Sequence, residues 1–230
     1  MGTRKDIFSI DEFYHIYNRG VDKRVIFLDD NDRVRFLRLL YVCNGTKPVI
    51  YRDVQNFPLD KIEVGDKLVA IGAYCLMPNH FHILVKEITD GGLVKFMGKL
   101  LTSYSMYFNK RYERTGALFG NKFKSAHLDR DEYLKYIYSY IHLNPVKLID
   151  PMWKERGILD LPRTEDFLKQ YTFSSYRDYL GEKREFAVIL NTAVFPEYFS
   201  DTRDVADNVK DWLVYVSPVP KPGHTKEDPM

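Results

Sequence analysis

Cysteine is scarce in this chain: Cys43 and Cys75 are the only two in 230 residues. That is too few for a disulfide framework, and their spacing is not that of zinc ligands, so a reducing compartment is expected. Long apolar runs are missing as well. The longest, Leu68 to Met77, falls far short of the roughly 20 residues that cross a bilayer. No apolar signal core follows Met1, and Asp6 stands where myristoylation requires Ser or Thr, so the expectation is a cytoplasmic protein with no membrane partner. There is no internal repeat and no excess of one charge: the net value of +2 selects no partner by itself. What remains is a composition of 45% hydrophobic and 29% charged residues, that of a folded protein rather than a disordered one.

The charge is nearly balanced but unevenly spread. Lys95, Lys99, Lys110, Arg111, Arg114, Lys122 and Lys124 face a single acid, Glu113, so this stretch is net +6 and the rest of the chain −4. Local basic concentration of this kind is the footprint of phosphate contact, and equally that of a solvated helix face. Tyr104, Tyr107, Phe108, Tyr112, Phe119 and Phe123 lie among these charges. Such rings can stack on unpaired bases, but most are expected in a core.

Phe13 to Asn18 reads as a strand closed by Arg19-Gly20. Apolar residues at helical spacing from Asp30 to Tyr41 predict a helix behind a cluster of Asp and Asn that can cap it. Asn44 to Asp66, with Pro48, Pro58, Gly45 and Gly65, reads as a surface excursion with room for one short strand. Leu68 to Met77 and His80 to Val85 form a hairpin about Pro78-Asn79, and a helix follows over residues 93 to 112. A fourth strand is expected near Phe123 to Leu128. Then Asp129 to Glu132 resembles a capping box opening a helix that Pro145 stops. The order βαββαβ plus a helix predicts an α+β, ferredoxin-like split βαβ fold: an antiparallel sheet with helices mainly on one face and the other open for a site. Residues 1–150 form the expected main domain, 151–216 an extension packed on or beside it, and 217–230 a disordered tail.

His80 and His82 sit two apart on a strand, so both imidazoles leave one face while Phe81, Ile83 and Val85 leave the other. Such a pair can share one cation, although it also fits surface or hydrogen-bonded core histidines. Tyr133, Tyr136, Tyr140 and Asn144 form one row along the last helix, a pattern that packing alone would also produce. His142 points about 200° away from Tyr140. If the row meets the open face, Asn144 offers an amide oxygen beside the imidazoles, and Tyr140 a phenol. Two imidazoles and an amide carry no negative charge, so a bound divalent ion would keep its full charge and open positions for phosphate oxygens. A phenol with an ordinary pKa near 10 needs such help to attack a phosphodiester.

Three segments resemble the HUH superfamily of single-tyrosine transposases, in its REP-associated tyrosine transposase branch. They are Phe13-Tyr14-His15-Ile16-Tyr17-Asn18-Arg19-Gly20, Ala73 to Val85 around Met-Pro-Asn-His-Phe-His, and Tyr140-Ile141-His142-Leu143-Asn144-Pro145. Phe173 to Gly181 is a further echo. The resemblance implies a single-stranded DNA transposase acting near hairpins, with Tyr140 as nucleophile and Tyr136 in reserve. His80, His82 and Asn144 would be the ligands of Mg²⁺ or Mn²⁺. Insertion-sequence relatives commonly carry Gln at the Asn144 position. Part of the DNA path is expected on the seven basic residues from Lys95 to Lys124, and the protein is expected to act as a monomer or homodimer. A binding-only module with a vestigial site, and a phosphodiesterase using water, are the alternatives.

Overall fold

The computed structural model describes residues 8–214. Along the chain, β1 (Phe13–Arg19) and α1 (Asp30–Val42) precede a one-turn helix α2 (Tyr51–Val54) and the hairpin of β2 (Val69–Met77) and β3 (His80–Glu87). The long helix α3 (Gly92–Arg111), the short strand β4 (Lys124–His127) and the helix α4 (Asp131–Leu143) follow. Beyond them lie α5 (Trp153–Arg156), α6 (Leu161–Gln170), α7 (Tyr176–Tyr179) and α8 (Thr202–Val214). The strands form one sheet in the order β2-β3-β1-β4, with every neighbouring pair antiparallel. β3 therefore lies between the two strands that α1 joins, which is the split βαβ arrangement.

Alternation along the strands gives the sheet two different faces. Tyr14, Ile16, Tyr74, Leu76, Phe81 and Ile83 point into a core shared with Phe36, Leu37 and Leu40 of α1 and Phe96, Leu100 and Tyr104 of α3. Of the rings interspersed among the basic residues, Tyr104, Phe108, Phe119 and Phe123 are buried, and Tyr107 and Tyr112 half-buried. α1 begins as its sequence suggests, with the Asp29 carboxylate accepting the Asp32 N–H at 3.0 Å.

The second face is only partly open. Ala70, Ala73, Cys75, Met77 and Leu84 pack beneath Leu134, Ile137, Tyr138, Tyr140 and Ile141 of α4. The small side chains on β2 let the helix come close. Helices therefore cover both faces, and the open region is confined to the β3, β1 and β4 side.

Two local expectations need correction. Asp129 does not cap α4: the cap position belongs to Arg130, which makes no side-chain capping bond. The excursion from Asn44 to Asp66 holds no named strand; it contains α2 and a 3-10 turn at Leu59–Lys61, closed by a single bridge between Gly45 and Lys67. Its prolines and glycines break the alternation that a strand requires.

The C-terminal extension is joined to the sheet. Leu76 N–H donates to the Phe173 carbonyl at 2.9 Å, and Ser175 N–H to the Tyr74 carbonyl at 3.0 Å, which occupies the otherwise unpaired edge of β2. Leu143, Val146, Trp153, Val205, Val209 and Leu213 close a separate apolar cluster between the end of α4 and α8. The tail expected to be disordered, 217–230, lies outside the described residues. Among the described residues, no helix is long and apolar enough to cross a membrane.

Candidate active site

The register between β1 and β3 sets Tyr17 opposite His82 and Arg19 opposite His80. Opposed residues share a face, so His15, Tyr17 and Arg19 stand with His80 and His82, while Phe81 and Ile83 enter the core. β4 adds Lys124, opposite Tyr17, to the same face. His80 and His82 are 7% and 2% exposed, with ring centroids 5.0 Å apart at 89°. His15 lies nearly parallel to His82, their centroids 5.0 Å apart, and its Nε2 is 2.9 Å from His82 Nδ1. His80 Nδ1 is 2.6 Å from Oδ1 of Asn79.

α4 brings the phenol to this pair. The ring of Tyr140 stands edge-on to both His15 and His82, at 5.6 Å in each case. Tyr136, one turn earlier, lies 5.9 Å from the Tyr140 ring and 4.7 Å from that of Trp212. The Asn144 side chain donates through Nδ2 to the Tyr140 carbonyl at 2.8 Å. It lines a narrow cavity with Tyr136, Tyr140, Trp153 and Lys154, a lining that does not include the histidines. His142 faces away, with Nε2 2.8 Å from the Ser175 hydroxyl. Burial, and then the charge of Arg184, push its pKa down to about 3.

Burial, then the neighbouring His80, His15, Lys147 and Lys154, hold the pKa of His82 well below the usual imidazole value. The ring is therefore neutral at physiological pH, the state in which imidazole binds a metal. Among the described residues no cluster of three or more His, Cys, Asp or Glu is arranged for a metal. His80 lies beside His82, and Asn144 turns its Nδ2 to the Tyr140 carbonyl. Uncharged donors of this kind would leave a divalent cation its full charge, with positions for phosphate oxygens and water.

The seven basic residues of the Lys95 to Lys124 stretch do not make one surface. Lys95, Lys99 and Lys110 ride on α3, which packs against the face opposite the histidines. Lys99 donates to the Gly45 carbonyl at 2.6 Å. Arg111 is paired with Asp29 and Asp32, and Arg114 with Asn109 Oδ1 at 2.6 Å. Lys124 stands on the histidine face, and Lys122 lies just ahead of it in the chain. Closeness in sequence does not survive here because the stretch runs from a helix on one side of the sheet to a strand within it.

Sequence reading missed three residues at the site. His15 could have been found: the alternation of Phe13, His15 and Tyr17 puts it on one face of β1, and the split βαβ order puts β1 beside β3. Lys154 lies 4.9 Å from the centroid of the Tyr140 ring, and Lys147 acts electrostatically on His82. Both follow Pro145, where no local pattern announces a return to the site.

Residues 38–144 match the sequence model of the IS200-like transposases. The match spans His80, His82 and Tyr140 and ends on Asn144. Over this segment, just under half of the chain, the sequence is similar to that of the IS200-like transposases. Among solved structures, a REP-associated tyrosine transposase bound to a REP hairpin is similar, with 14% identity, a TM-score of 0.48, and coverage of 79% of this chain and 87% of that one. No curated protein matches.

Proposed function

We propose that this protein is a transposase of the REP-associated branch, and that it cuts and rejoins single-stranded DNA at hairpin-flanked sites through a covalent bond to Tyr140. The observation that carries this reading is the meeting of Tyr140 with His82, edge to face at 5.6 Å, across the gap between α4 and the sheet. The phenol and the His82 ring, which burial keeps neutral, meet there from positions 58 apart in sequence.

His80 and His82 would hold Mg²⁺ or Mn²⁺, with Asn144 Oδ1 as the third protein ligand. When bound, the ion supplies a Lewis acid for a phosphodiester oxygen. Tyr140 Oη attacks the phosphorus, forming the P–Oη bond as the P–O3′ bond breaks. The phenol gives up its proton, and the departing O3′ takes one to become a 3′ hydroxyl. The Lys154 ammonium over the ring favours the phenolate that develops. Because the phosphodiester energy is retained in the phosphotyrosine, a second 3′ hydroxyl can reverse the step and join a new strand without a nucleotide cofactor. Lys124, Lys147 and Lys154 offer charge to the DNA backbone around this point.

The test uses end-labelled single strands copied from the DNA flanking the gene, incubated with Mg²⁺ or Mn²⁺ and wild-type or Tyr140→Phe protein. Wild type should cut and Tyr140→Phe should not. Cutting by Tyr140→Phe without a protein–DNA adduct would indicate water as the nucleophile, cutting with an adduct would move the nucleophile to Tyr136 or elsewhere, and binding by wild type without cutting would indicate a binding-only protein.

A further inference from the structure

We infer that His15 and Asn79 are positioning residues that fix His82 and His80 in the tautomer whose lone pair is on Nε2, so that both imidazoles present Nε2 to the cation. The inference rests on the metal-binding reading above and gives a role to two residues of the resembling segments that had none.

For His80 the chemistry is one-sided. An amide oxygen has no hydrogen to give, so the 2.6 Å contact between Asn79 Oδ1 and His80 Nδ1 requires the proton on Nδ1. A neutral ring protonated at Nδ1 carries its lone pair on Nε2. Asn79 is in turn held at both ends. Its Nδ2 donates to the Lys23 carbonyl at 3.1 Å, and its own carbonyl accepts the Gly20 N–H at 3.0 Å. The loop that receives it is tightly wound, with Asp22 and Lys23 at left-handed φ values of 54° and 59°. Gly20 fits there because a Cβ would lie 2.4 Å from the Arg24 carbonyl oxygen. The strand end before His80 and the Asn18-Arg19-Gly20 turn are thus one interlocked unit that aims the Asn79 oxygen.

For His82 the partner is another imidazole, and two proton arrangements satisfy the 2.9 Å contact between His15 Nε2 and His82 Nδ1. If His15 donated, neutral His82 would carry its proton on Nε2 and could not bind a metal through that atom. If His82 donates, its Nε2 has the lone pair, as in His80. His15 is diagonal to His82 in the register, opposite Leu84, which is within reach for an imidazole. It also meets Tyr140 edge-on, so one side chain sets both the ligand ring and the wall against which the phenol rests. Orientation of a ligating histidine through its other nitrogen is a general feature of metal sites, and removing the partner weakens metal binding by 10–100-fold.

The test has two independent readouts. Mn²⁺ binding is titrated by electron paramagnetic resonance of the free ion in wild type, Asn79→Ala, Asn79→Asp and His15→Phe, with melting curves recorded alongside. Asn79→Ala and His15→Phe should bind Mn²⁺ about 10–100-fold more weakly than wild type. Asn79→Asp, which keeps an accepting oxygen, should stay within a few-fold of wild type. Separately, long-range ¹H–¹⁵N spectra of the unmutated protein without metal should show the proton on Nδ1 of both His80 and His82. Equal affinity in Asn79→Ala and Asn79→Asp, or a protonated Nε2 at His82, would overturn the inference. If wild type bound no Mn²⁺, the metal reading would fail, and the spectra would still decide the tautomers. If a variant failed to fold, the same spectra would decide.

Discussion

The Ser175 hydroxyl lies 2.8 Å from Nε2 of His142 and accepts the backbone N–H of Tyr74 at 2.9 Å. One small side chain therefore ties α4 to the edge of β2, two residues from Tyr140. Ser175→Ala leaves a buried imidazole nitrogen and a buried backbone N–H without this partner. The expected loss is roughly 1–3 kcal/mol of stability, read from denaturant midpoints. A change of only a few tenths would mean that α4 is held in place by its apolar contacts alone.

Arg111 is tied into the fold by Asp29 and Asp32. It donates at 2.8 Å to Asp32, which is 0% exposed and also accepts from Tyr107, Tyr112 and the Leu28 N–H. Arg111→Ala leaves that carboxylate buried with its neutral donors only. The expected destabilisation is on the order of 2–3 kcal/mol, below the usual cost of breaking a buried pair because those donors remain. DNA affinity per folded molecule should not change. A stable variant with weakened DNA binding would return Arg111 to the interface.

Salt dependence separates the two groups of lysines. Lys124→Ala and Lys154→Ala should each lower the slope of log affinity against log salt for single-stranded DNA by about 0.7. Lys95→Ala and Lys110→Ala, on the opposite side of the sheet, should leave it unchanged. The reverse pattern would move the strand to the α3 face.

Lys67 offers a pH test of the fold. Burial lowers its pKa to about 8, and its ammonium lies 3.7 Å from the centroid of the Tyr41 ring. Below pH 8 the lysine is charged in both folded and unfolded chains, so the folded state carries the full desolvation cost. Between about 8 and the unfolded value near 10.4 the folded lysine is neutral while the unfolded one still binds a proton, and the cost fades as pH rises. Lys67→Met should therefore be more stable than wild type by on the order of 2 kcal/mol at pH 7, with the gap closing towards pH 10. A gap independent of pH would show that the side chain reaches water.

The elements that alternate strictly, or that keep helical spacing over several turns, were legible in the sequence. β1, β3, α3 and the row from Tyr133 to Asn144 are of this kind, and so is the paired exit of His80 and His82. What local pattern does not encode is which distant segments meet. The Ser175 contact joins residues 33 apart, and His15 reaches His82 across 67. The seven basic residues show the converse, since neighbours in sequence are divided between two sides of a sheet. The absent side-chain cap of α4 is a smaller case: packing of its apolar face, Tyr138 and Ile141 included, on the small side chains of β2 suffices without Asp129.

The central claim is that Tyr140 becomes covalently attached to DNA. The direct measurement is peptide mass spectrometry of protein trapped with single strands from its own flanking DNA in Mg²⁺ or Mn²⁺. A nucleotide-modified peptide carrying the mass on Tyr140, absent when the metal is chelated, is the predicted result. Modification of Tyr136 instead, or cleaved DNA with no modified tyrosine, would contradict it.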